Sequence, residues 1–596
     1  MRSRRAHLFA GLLVLSLAQT GCLKLVASAL SLATPVPRAV HRVTVTRNMM
    51  VAMPDGVRLA TDLYRPADLA QAPTILFRTP YGKEAGLNPK NYRALAGQGY
   101  VVAAQDTRGR FKSEGEFYPF VHEAEDGRAT VAWITRQPWW NGRLGTAGGS
   151  YLGIVQYAMA PGSPEITALM TPLSGAELGP LFQRGGVPSY LTMYFWTATT
   201  GDHHPPELSL GRIRKEISGL PISENDQRLG LPDAFYRDVL SPERLAKLLD
   251  QLDYQDQYQK VQAPALIVAG WYDLFTESAI QTWQKLRTEG RGAARESRLV
   301  IGPWAHTPRV LWARKFGPEG KMPPEVIEAL PWFDHWLRGV DNEVADWPPI
   351  RYFLMGANEW RQASAWPLPG TVFTEYYFHS SGQANSCAGD GALSRERPDE
   401  EATDQFVYDP AHPVPTLGGG NLEWQLTQTW VIPNAGVFDQ RKIERRRDLL
   451  CYTSAPLSED LEVTGPIQVV VYAASSAQDT DFTAKLVEVL PQGKALNLQD
   501  GIIRARFRSG DLRRPELIEP DRIYAYTIDL SATANLFRRG SRLRVEISSS
   551  NFPRFARNLN TGEDPATATR MEKAEQTLYH DSARPSRIVL PIVPRP

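Results

Sequence analysis

The sequence is poor in cysteine and carries almost no net charge. It has 3 cysteines among 596 residues, and its 66 lysines and arginines nearly balance 65 acidic residues. No C-x-x-C pair or histidine–cysteine cluster occurs, so we expect no zinc site and no other metal. The balanced charge gives no sign of the basic surface that binds nucleic acid. Residues 418–420 are three glycines, but no Gly-Lys-Ser/Thr follows them, so no phosphate-binding loop is expected. We also expect no cofactor.

The length and pattern of the chain predict several globular domains. A chain of 596 residues exceeds what one hydrophobic core usually holds, so we expect two or three domains. It has no internal repeat and no low-complexity tract, which excludes a solenoid and a largely disordered protein. Its 15 tryptophans and 46 prolines indicate aromatic-lined surfaces and well-defined loops.

The N-terminus predicts export. Basic residues 1–5 precede the apolar run 8–18, which is the layout of a secretory signal and is too short to span a bilayer as a mature helix. Cys22 follows a small residue, as at a bacterial lipoprotein cleavage site, although Gln19 stands where leucine is usual. We therefore expect 1–34 to be a signal segment and linker, and the protein to be periplasmic or tethered to the membrane through a lipidated Cys22.

Two cysteines remain after such processing. In an oxidising compartment Cys387 and Cys451 could pair, but the sequence does not show whether their Cα atoms come within reach. Two unpaired buried thiols are equally compatible with it. The sequence leaves the pairing open.

The first part of the chain alternates strands with helices. Apolar strands are predicted at 73–77, 100–105 and 143–146, with helices at 92–98 and 122–137 between them. This alternation predicts a mostly parallel sheet that is covered on both faces. In such sheets the catalytic groups lie at the carboxyl ends of the strands.

A glycine-flanked serine follows the third of these strands. In the sequence GGSYLG at 148–153, small residues permit a tight strand-to-helix turn that exposes the hydroxyl of Ser150. The usual form of this turn is G-x-S-x-G, and here the second glycine comes one residue late. Taken alone, the pattern is also compatible with a plain loop.

An acid and a histidine follow two later strands. Asp273 comes after the apolar strand 264–269, and His306 comes after the strand 298–301. The order serine, aspartate, histidine, each just beyond a buried strand, is that of α/β-hydrolase catalytic triads. Either residue alone could be structural, but their joint occurrence in this order predicts a triad with Ser150.

Two other regions differ from this pattern. Residues 168–263 hold short helical stretches and no strong strand, which predicts a helical cap over the sheet. Beyond residue 347 the helical signal nearly vanishes and many short strands follow, which predicts an all-β sandwich or jelly roll. We therefore expect an α/β-hydrolase core from 35–167 and 264–346, the cap at 168–263, and a C-terminal jelly-roll domain at 347–596.

Eight short motifs run through the chain. They are RTPY (78–81), QDTRG (105–109), SEGEF (113–117), GGSYLG (148–153), GWYD (270–273), GPWAH (302–306), TSAPL (453–457) and DTDF (479–482). Together they resemble the cocaine esterase and X-Pro dipeptidyl-peptidase-like serine hydrolases, which include the α-amino acid ester hydrolases and glutaryl-cephalosporin acylases. The resemblance covers nearly the whole mature chain. It implies the same three domains, and in this family the late second glycine is the normal spacing.

The resemblance implies a role for each site residue. Ser150 would be the nucleophile, His306 the general base and acid, and Asp273 the carboxylate that orients the imidazole. The family meets the negative charge on the carbonyl oxygen with one backbone and one side-chain donor. Here these would be the N–H of Tyr151 and the phenol of Tyr81. Without the resemblance, Tyr81 would be interpreted as a turn residue after a proline.

Three aromatic residues beside the triad are candidates for the pocket wall. We expect Trp271, Phe275 and Trp304 to help wall the acyl pocket, although core packing explains Trp304 nearly as well. The leading interpretation is a serine hydrolase that cleaves carboxylic ester, or amide, bonds of small substrates through an acyl-enzyme. The sequence does not indicate an oligomeric state.

An alternative is a dipeptidyl peptidase that removes Xaa-Pro from peptide N-termini. Its pocket must supply carboxylates, because an unpaired ammonium is costly to bury. In the α-amino acid ester hydrolases, part of such an acidic cluster lies two and three residues past the catalytic aspartate. Here Phe275 and Thr276 occupy those positions and Glu277 comes one residue later, although Glu177 or Asp202 could substitute. A third interpretation, a surface binding protein that uses the β domain, is disfavoured by the intact triad.

Overall fold

The structure of the protein is a computed structural model that describes six ranges of the chain. These are 39–85, 88–200, 210–306, 314–321, 329–422 and 435–594. The predicted signal segment 1–34, with Cys22, lies outside them. In these ranges no helix combines the length and the apolar character needed to cross a membrane.

A sheet of ten strands forms the core of the first domain. Its strands are β1 (Val43–Ala52), β2 (Arg58–Pro66), β3 (Ala72–Thr79), β4 (Val101–Asp106), β5 (Trp140–Ala147), β6 (Ile166–Pro172), β9 (Ala265–Gly270), β10 (Arg298–Gly302), β11 (Ile350–Leu354) and β12 (Glu359–Ala363). A separate hairpin consists of β7 (Gln183–Arg184) and β8 (Val187–Pro188). The strand order is β1-β2-β4-β3-β5-β6-β9-β10-β11-β12. All pairs from β4 to β11 are parallel, and the pairs at both edges are antiparallel.

Helices cover both faces of this sheet. Those that pack on it are α1 (Asn88–Gly97), α2 (Glu123–Thr135), α3 (Tyr151–Met159), α10 (Thr276–Thr288) and α11 (Leu330–Arg338). Between α3 and α10 the chain forms α4 (Gly179–Phe182), α5 (Tyr190–Thr200), α6 (Leu210–Glu216), α7 (Asn225–Leu229), α8 (Ala234–Leu240) and α9 (Pro242–Gln251). In the central strand β9 the side chains alternate between two apolar clusters. Leu266 shares one with Trp332 of α11, and Ile267 shares the other with Trp283 of α10. Because both faces are buried, such strands are apolar throughout.

Two predicted domain boundaries differ from the structure. The segment 168–263, predicted as a cap without a strong strand, begins inside β6, which is hydrogen-bonded between β5 and β9. The predicted β domain from residue 347 begins with β11 and β12, which complete the first sheet. A short apolar run such as β6 cannot be told from a buried helix segment by its periodicity. Nor does periodicity show which sheet a strand joins, because its partner is distant in sequence.

The cap consists of the short helices between β6 and β9, and its helix α5 packs in two directions. Tyr190 and Tyr194 are one helical turn apart and lie in an apolar cluster with Phe552 of the β domain. Met193 lies in a different cluster, together with Tyr81 of the first domain, and Trp196 packs against that cluster. Helix α5 therefore lies between the β domain and the edge of the sheet where the predicted triad lies.

The C-terminal domain is all-β. Its strands are β13 (Val372–His379), β14 (Ala392–Ser394), β15 (Asp404–Tyr408), β16 (Leu450–Ser454), β17 (Leu461–Ser475), β18 (Asp481–Val489), β19 (Ala495–Arg504), β20 (Tyr524–Phe537), β21 (Arg542–Ser548), β22 (Ala574–Tyr579) and β23 (Arg587–Ile592). Their order is β15-β22-β17-β23-β13-β14-β16-β21-β18-β19, and β20 pairs with β17. The longest of these strands is β17. Pro466 interrupts its apolar pattern at the point where the register against β20 shifts.

The β domain contacts the loop that follows β9. Gln499 Nε2 donates to the carbonyl oxygen of Trp271 at 2.7 Å, and the hydroxyl of Tyr272 donates to the carbonyl oxygen of Asn497 at 3.3 Å. These bonds hold the chain immediately before Asp273. The all-β domain therefore supports the loop that carries the predicted acid of the triad.

Candidate active site

Ser150 lies at a strained turn between β5 and α3. Its backbone has φ 57° and ψ −126°, which non-glycine residues rarely adopt. Gly148, with φ +133°, makes the turn possible, because a Cβ there would lie 2.5 Å from the Cβ of Leu152. The N–H of Ser150 donates to the carbonyl of Pro172 at 3.2 Å, which ties the turn to the end of β6. The turn therefore presents the serine hydroxyl at the carboxyl edge of the sheet, as in a nucleophile elbow.

The late position of the second glycine has a steric reason. A Cβ at Gly153 would lie 2.4 Å from the Cβ of Ser174, just beyond β6. Ser174 Oγ donates to the carbonyl oxygen of Ser150 at 2.8 Å, so it is held close beneath the turn. Position 153 must therefore be glycine, and the G-x-S-x-x-G spacing follows from this contact.

The three residues predicted as a triad come together at this edge. His306 Nε2 lies 3.0 Å from Ser150 Oγ, and His306 Nδ1 lies 2.8 Å from Asp273 Oδ1. Ser150, His306 and Asp273 are 7%, 4% and 3% exposed. Because β9 and β10 are adjacent parallel strands, the residues that follow them meet at one place. In this arrangement the carboxylate can hold the ring so that Nε2 faces the serine.

Two hydrogen-bond donors lie beside the serine hydroxyl. The N–H of Tyr151, the first residue of α3, has no acceptor among the residues that the structure describes. The hydroxyl of Tyr81 interacts with the side chain of Ser150 and accepts a hydrogen bond from Trp196 Nε1 at 3.0 Å. Since the phenol oxygen accepts from the indole, its own O–H remains available as a donor beside Ser150. Both donors can therefore act on an oxygen bound next to the serine.

The surroundings of Tyr81 keep its phenol protonated. Burial raises the pKa of Tyr81 above its ordinary value, although hydrogen bonds with Trp196 and Ser150 and the charge of Arg110 act in the opposite direction. Arg110 Nε also donates to the carbonyl oxygen of Pro80 at 2.9 Å, which holds the backbone next to Tyr81. The phenol is thus a positioned donor at neutral pH.

The phenol of Tyr151 is engaged away from the serine. It donates to Glu123 Oε1 at 2.8 Å and accepts from the backbone N–H of Phe120 at 2.9 Å. Burial raises the pKa of Glu123, and the adjacent Arg78, whose guanidinium is 2.8 Å from the carboxylate, opposes this rise. This buried group anchors the start of α3, so only the backbone of Tyr151 serves the site.

A cavity opens above Ser150. The first domain contributes Tyr81, Phe120, Ile154, Leu274 and Phe275 to its wall. The cap contributes Leu181, Phe182, Thr192, Met193 and Trp196, and the β domain contributes Leu422. Apart from the imidazole of His306, no acidic or basic side chain lines it among the described residues. The site is therefore a mainly apolar, largely aromatic pocket next to the catalytic serine.

Comparisons with known proteins assign the chain to a family. Residues 55–308 match the X-Pro dipeptidyl-peptidase (S15 family), and residues 342–589 match the X-Pro dipeptidyl-peptidase C-terminal non-catalytic domain. The chain is 38% identical over 591 residues to the cocaine esterase of Rhodococcus sp. (strain MB1 Bresler), an alignment that covers 93% of this chain and 99% of that protein. The chain belongs to this family of serine hydrolases. The resemblance predicted from the sequence motifs is confirmed.

Two solved structures are similar to the chain in fold. An α-amino acid ester hydrolase superposes with a TM-score of 0.76 at 23% identity, over 93% of this chain and 97% of that one. An aminopeptidase from a marine sediment archaeon, Thaumarchaeota archaeon, gives a TM-score of 0.78 at 22% identity, over 94% and 98% of the two chains. At these identities the likeness concerns the fold alone. It confirms the predicted combination of an α/β-hydrolase core and a β-rich C-terminal domain.

Two of the three aromatic residues predicted to wall the pocket lie elsewhere. The indole of Trp271 donates to the carbonyl oxygen of Phe353 at 2.8 Å, and that of Trp304 donates to the carbonyl oxygen of Gly320 at 2.8 Å. Both rings are buried in the core and do not reach the cavity. The prediction is therefore corrected for Trp271 and Trp304. A large ring next to a strand end gains as much from core burial as from a pocket, and sequence adjacency to the triad does not separate the two cases.

Phe275 does line the cavity, and its ring centroid is 5.6 Å from that of His306. The sequence did not single out Phe120, Trp196 or Leu422, which also line it. The ring of Phe120 stacks on Trp196 at 5.8 Å. Trp196 occurs in an aromatic stretch at helical spacing, which equally predicts a packed cap helix, and Leu422 carries no local signal at all.

The acidic residues considered for binding a substrate ammonium lie outside the cavity. Glu177 accepts from Lys285 Nζ at 2.8 Å, and Glu277 pairs with Arg184 at 3.2 Å. Neither lines the pocket. Asp202 of the cap lies outside the described residues. Within the described part of the chain, the cavity therefore holds no partner for a charged amino terminus.

Proposed function

We propose that this protein hydrolyses carboxylic esters of small substrates through an acyl-enzyme formed on Ser150. One observation carries the proposal: a hydrogen-bonded chain from Asp273 through His306 to Ser150 opens into an apolar cavity. The proposal agrees with the similarity to the cocaine esterase. A purely binding role would give no reason for this chain of groups to be assembled at a strained turn.

In the proposed mechanism His306 moves the proton at each step. Ser150 Oγ attacks the ester carbonyl carbon while His306 Nε2 accepts its proton. The tetrahedral intermediate collapses as His306 gives that proton to the oxygen of the leaving alcohol. Water then attacks the acyl group with the same nitrogen as base, which releases the acid and restores Ser150. Asp273 holds the imidazole in place and stabilises its protonated form.

The two donors beside Ser150 provide the proposed oxyanion hole. Negative charge develops on the carbonyl oxygen when the serine attacks, and fixed donors stabilise it most in a site that excludes water. The N–H of Tyr151 and the phenol of Tyr81 are the donors in position. Because both hydrogen bonds strengthen as charge develops on the carbonyl oxygen, their contribution falls on the transition state rather than on substrate binding.

The cavity favours an uncharged, apolar acyl group. Its wall offers the faces of Phe120 and Trp196, and its described part has no acidic or basic side chain besides His306. Aromatic rings stack favourably on such faces, whereas a charged group would lose its hydration without gaining a partner. We therefore propose aromatic and branched aliphatic acyl groups as the preferred substrates. The same absence of a carboxylate argues against removal of Xaa-Pro dipeptides.

A single assay series tests this function. Purified protein is given p-nitrophenyl esters of graded acyl size, including the benzoate, beside the p-nitroanilides of Gly-Pro and Ala-Pro, with Ser150→Ala as the blank. We expect kcat/KM to rise with acyl size until the cavity is filled, and the anilides to remain close to the blank. Turnover of the anilides at or above the rate of the esters would assign a dipeptidyl peptidase instead.

We propose separately that the chain is exported and lipidated on Cys22. Supporting this are the basic residues 1–5, the apolar run 8–18 and the small residue before Cys22. In a bacterium that expresses the chain, we expect the protein in the membrane fraction and the Cys22→Ser variant in the soluble periplasm. Recovery of the wild type in the cytoplasm would contradict export, and its recovery in the soluble periplasm would contradict the lipid.

We also propose a jelly-roll arrangement for the β domain. Strands β22 and β23, which are both far from β17 in the chain, flank β17 in the sheet, as expected when long connections cross between two packed layers. An experimental structure in which successive strands of this domain form simple hairpins would contradict it.

A further inference from the structure

Cys387 and Cys451 lie side by side in the β domain. Their Sγ atoms are 2.7 Å apart, although the residues are 64 positions apart in the sequence. The thiols are not bonded to each other in the structure. A disulfide has an S–S distance of about 2.0 Å, so a shift of under about 1 Å would bring the two sulfur atoms to bonding distance.

Backbone hydrogen bonds hold each cysteine in this position. The N–H of Cys451, in β16, donates to the carbonyl oxygen of Ala384 at 2.9 Å. The N–H of Cys387 donates to the carbonyl oxygen of Glu444 at 3.0 Å. The chain around Cys387 therefore runs along the chain around Cys451, and the thiols meet because the backbones are paired.

We propose that Cys387 and Cys451 form an intramolecular disulfide when the protein meets a small-molecule disulfide such as oxidised glutathione. The thiolate of Cys387 attacks the small disulfide, forms a mixed disulfide and releases one thiolate. The thiolate of Cys451 then attacks the Cys387 sulfur and releases the second. Two protein thiols are oxidised to one disulfide, and one small disulfide is reduced to two thiols.

The surroundings of the pair set the order of these steps. Cys387 is partly exposed and Cys451 is buried. Burial raises the pKa of the Cys451 thiol well above its ordinary value, so little of it is thiolate in the reduced protein. Cys387 is therefore the residue that meets the small disulfide. Once the mixed disulfide has formed, Cys451 lies next to the Cys387 sulfur that it attacks in the second step.

The proposed bond lies behind one wall of the catalytic cavity. Both cysteines pack in an apolar cluster with Val414 and Leu417. From Leu417 the chain continues through three glycines to Leu422, which lines the cavity. A crosslink at the base of this segment restricts it without touching the triad. The disulfide should therefore raise thermal stability and leave turnover at moderate temperature unchanged.

Peptide mapping tests the bond directly. The full-length protein is incubated with oxidised glutathione, denatured, alkylated with iodoacetamide with or without prior reduction, and digested. We expect Cys387 and Cys451 in one crosslinked peptide that separates into two alkylated peptides only after reduction. Because each cysteine-containing peptide is identified separately, the state of Cys22 does not affect the result. Alkylation of both cysteines without reduction, or glutathione retained on Cys387, would overturn the proposal.

Matched variants test the same bond by stability. Cys387→Ser, Cys451→Ser and the double variant are compared with the wild type after the same oxidation. Because each single change removes the whole crosslink, all three should lose a similar 5–10 °C in Tm, roughly. Reduction should lower the Tm of the wild type to that of the Cys387→Ser variant and leave that variant unchanged. A wild-type Tm that does not respond to reduction would contradict the bond.

Discussion

The two large domains each contain a serine, a histidine and a carboxylate hydrogen-bonded in line. In the active site, Ser150 Oγ lies 3.0 Å from His306 Nε2, and His306 Nδ1 lies 2.8 Å from Asp273 Oδ1. In the β domain, Ser394 Oγ lies 3.1 Å from His379 Nε2, and His379 Nδ1 lies 2.7 Å from Glu401 Oε1. The corresponding distances differ by about 0.1 Å. Distances alone therefore do not decide which serine reacts.

The hydrogen bonds around Ser394 prevent it from acting as a nucleophile. Its Oγ accepts a hydrogen bond from the N–H of Glu396 at 3.0 Å, and His379 Nε2 also lies 3.1 Å from the carbonyl oxygen of Glu396. A ring nitrogen that donates its hydrogen to a carbonyl cannot accept a proton from serine. Ser394 ends the strand β14 and does not line the cavity above Ser150.

Ser150 differs from Ser394 because it lies beside a free hydrogen-bond donor and a cavity. It lies at a strained turn, the adjacent N–H of Tyr151 has no acceptor in the described part of the chain, and a cavity lies above it. The comparison shows that a catalytic triad needs more than three hydrogen-bonded groups. It also needs a cavity for the substrate next to the serine and hydrogen-bond donors that face this cavity. A serine–histidine–carboxylate array with every polar atom satisfied is a structural element.

Replacing each serine in turn gives the largest expected contrast. Ser150→Ala should lower kcat/KM for p-nitrophenyl esters on the order of 10⁴–10⁶-fold, because the nucleophile is lost, while Ser394→Ala should leave it unchanged. A fluorophosphonate probe should label the wild type and Ser394→Ala but not Ser150→Ala. Labelling of Ser394 in any variant would break the distinction between the two arrays.

Replacing His306 as well shows whether the active-site array acts as a unit. His306→Ala should be nearly as inactive as Ser150→Ala, and the double variant should be little worse than either single one. Losses that add up in the double variant would mean that the two residues do not act together.

The phenol of Tyr81 is the next test, since the β-domain array has no counterpart to it. Tyr81→Phe removes one donor and hardly changes the volume of the site. We expect kcat to fall on the order of 10²–10³-fold with little change in KM, because the bond strengthens as charge develops on the carbonyl oxygen. Normal kcat in a destabilised Tyr81→Phe protein would make Tyr81 a structural residue.

Trp196 sharpens the comparison further, because it acts on the site through Tyr81. Trp196→Phe keeps an aromatic ring in the cavity and removes the hydrogen bond that orients the phenol. We expect kcat to fall roughly 2–10-fold, the effect of one neutral hydrogen bond. Trp140→Phe is the matched control, because the indole N–H of Trp140 has no partner among the described residues. Equal effects of the two changes would exclude a role for the Trp196 N–H.

A third buried array gives the smallest expected effect. His580 in the β domain faces two carboxylates, with Nε2 2.9 Å from Asp404 and Nδ1 3.1 Å from Glu401. Burial alone would lower the pKa of His580, but the hydrogen bond and charge of Asp404 and the charge of Glu401 raise it above the ordinary value. The stabilisation is therefore complete below the unfolded histidine pKa of about 6.5 and is lost as pH rises through the raised folded pKa.

We expect the pH dependence of the Tm to reveal this charge. His580→Gln should lower the Tm by about 3–6 °C at pH 6 and by less at pH 9, with turnover per folded molecule unchanged. Asp404, whose pKa is lowered by hydrogen bonds that outweigh its burial, loses its contribution only as pH falls through that lowered pKa, so it does not change across this range. The same difference in Tm at both pH values would mean that His580 carries no charge in the folded protein.

The sequence predicts the parts of the site that each follow one strand. Ser150, Asp273 and His306 all come just after apolar runs. A parallel sheet brings the ends of such strands together, and this does not depend on the conformation of the connecting loops. The pocket wall is different, because it is assembled from the cap and the β domain as well as the core. Trp196 and Leu422 reach the cavity through packing between segments that are far apart in sequence, so no local pattern marks them.

The same limit explains the misplaced tryptophans and strands. Trp271 precedes Asp273 by two residues, yet its ring turns into the core and its carbonyl is held by Gln499. Strands β11 and β12 look like the strands of the β domain in the sequence but join the first sheet. Residue propensity predicts that a segment is extended, but the sheet that it joins depends on the strand with which it pairs in the folded protein.

The position of Leu422 in the cavity wall has a consequence for how this enzyme can be altered. A residue of the C-terminal domain touches the space for the acyl group, and Gln499 of that domain supports the loop of the catalytic acid. The N-terminal half is therefore not a free-standing catalyst to which a passive module was added. Grafting the C-terminal domain of a relative onto this core should change which esters are preferred, even though every reacting atom stays the same.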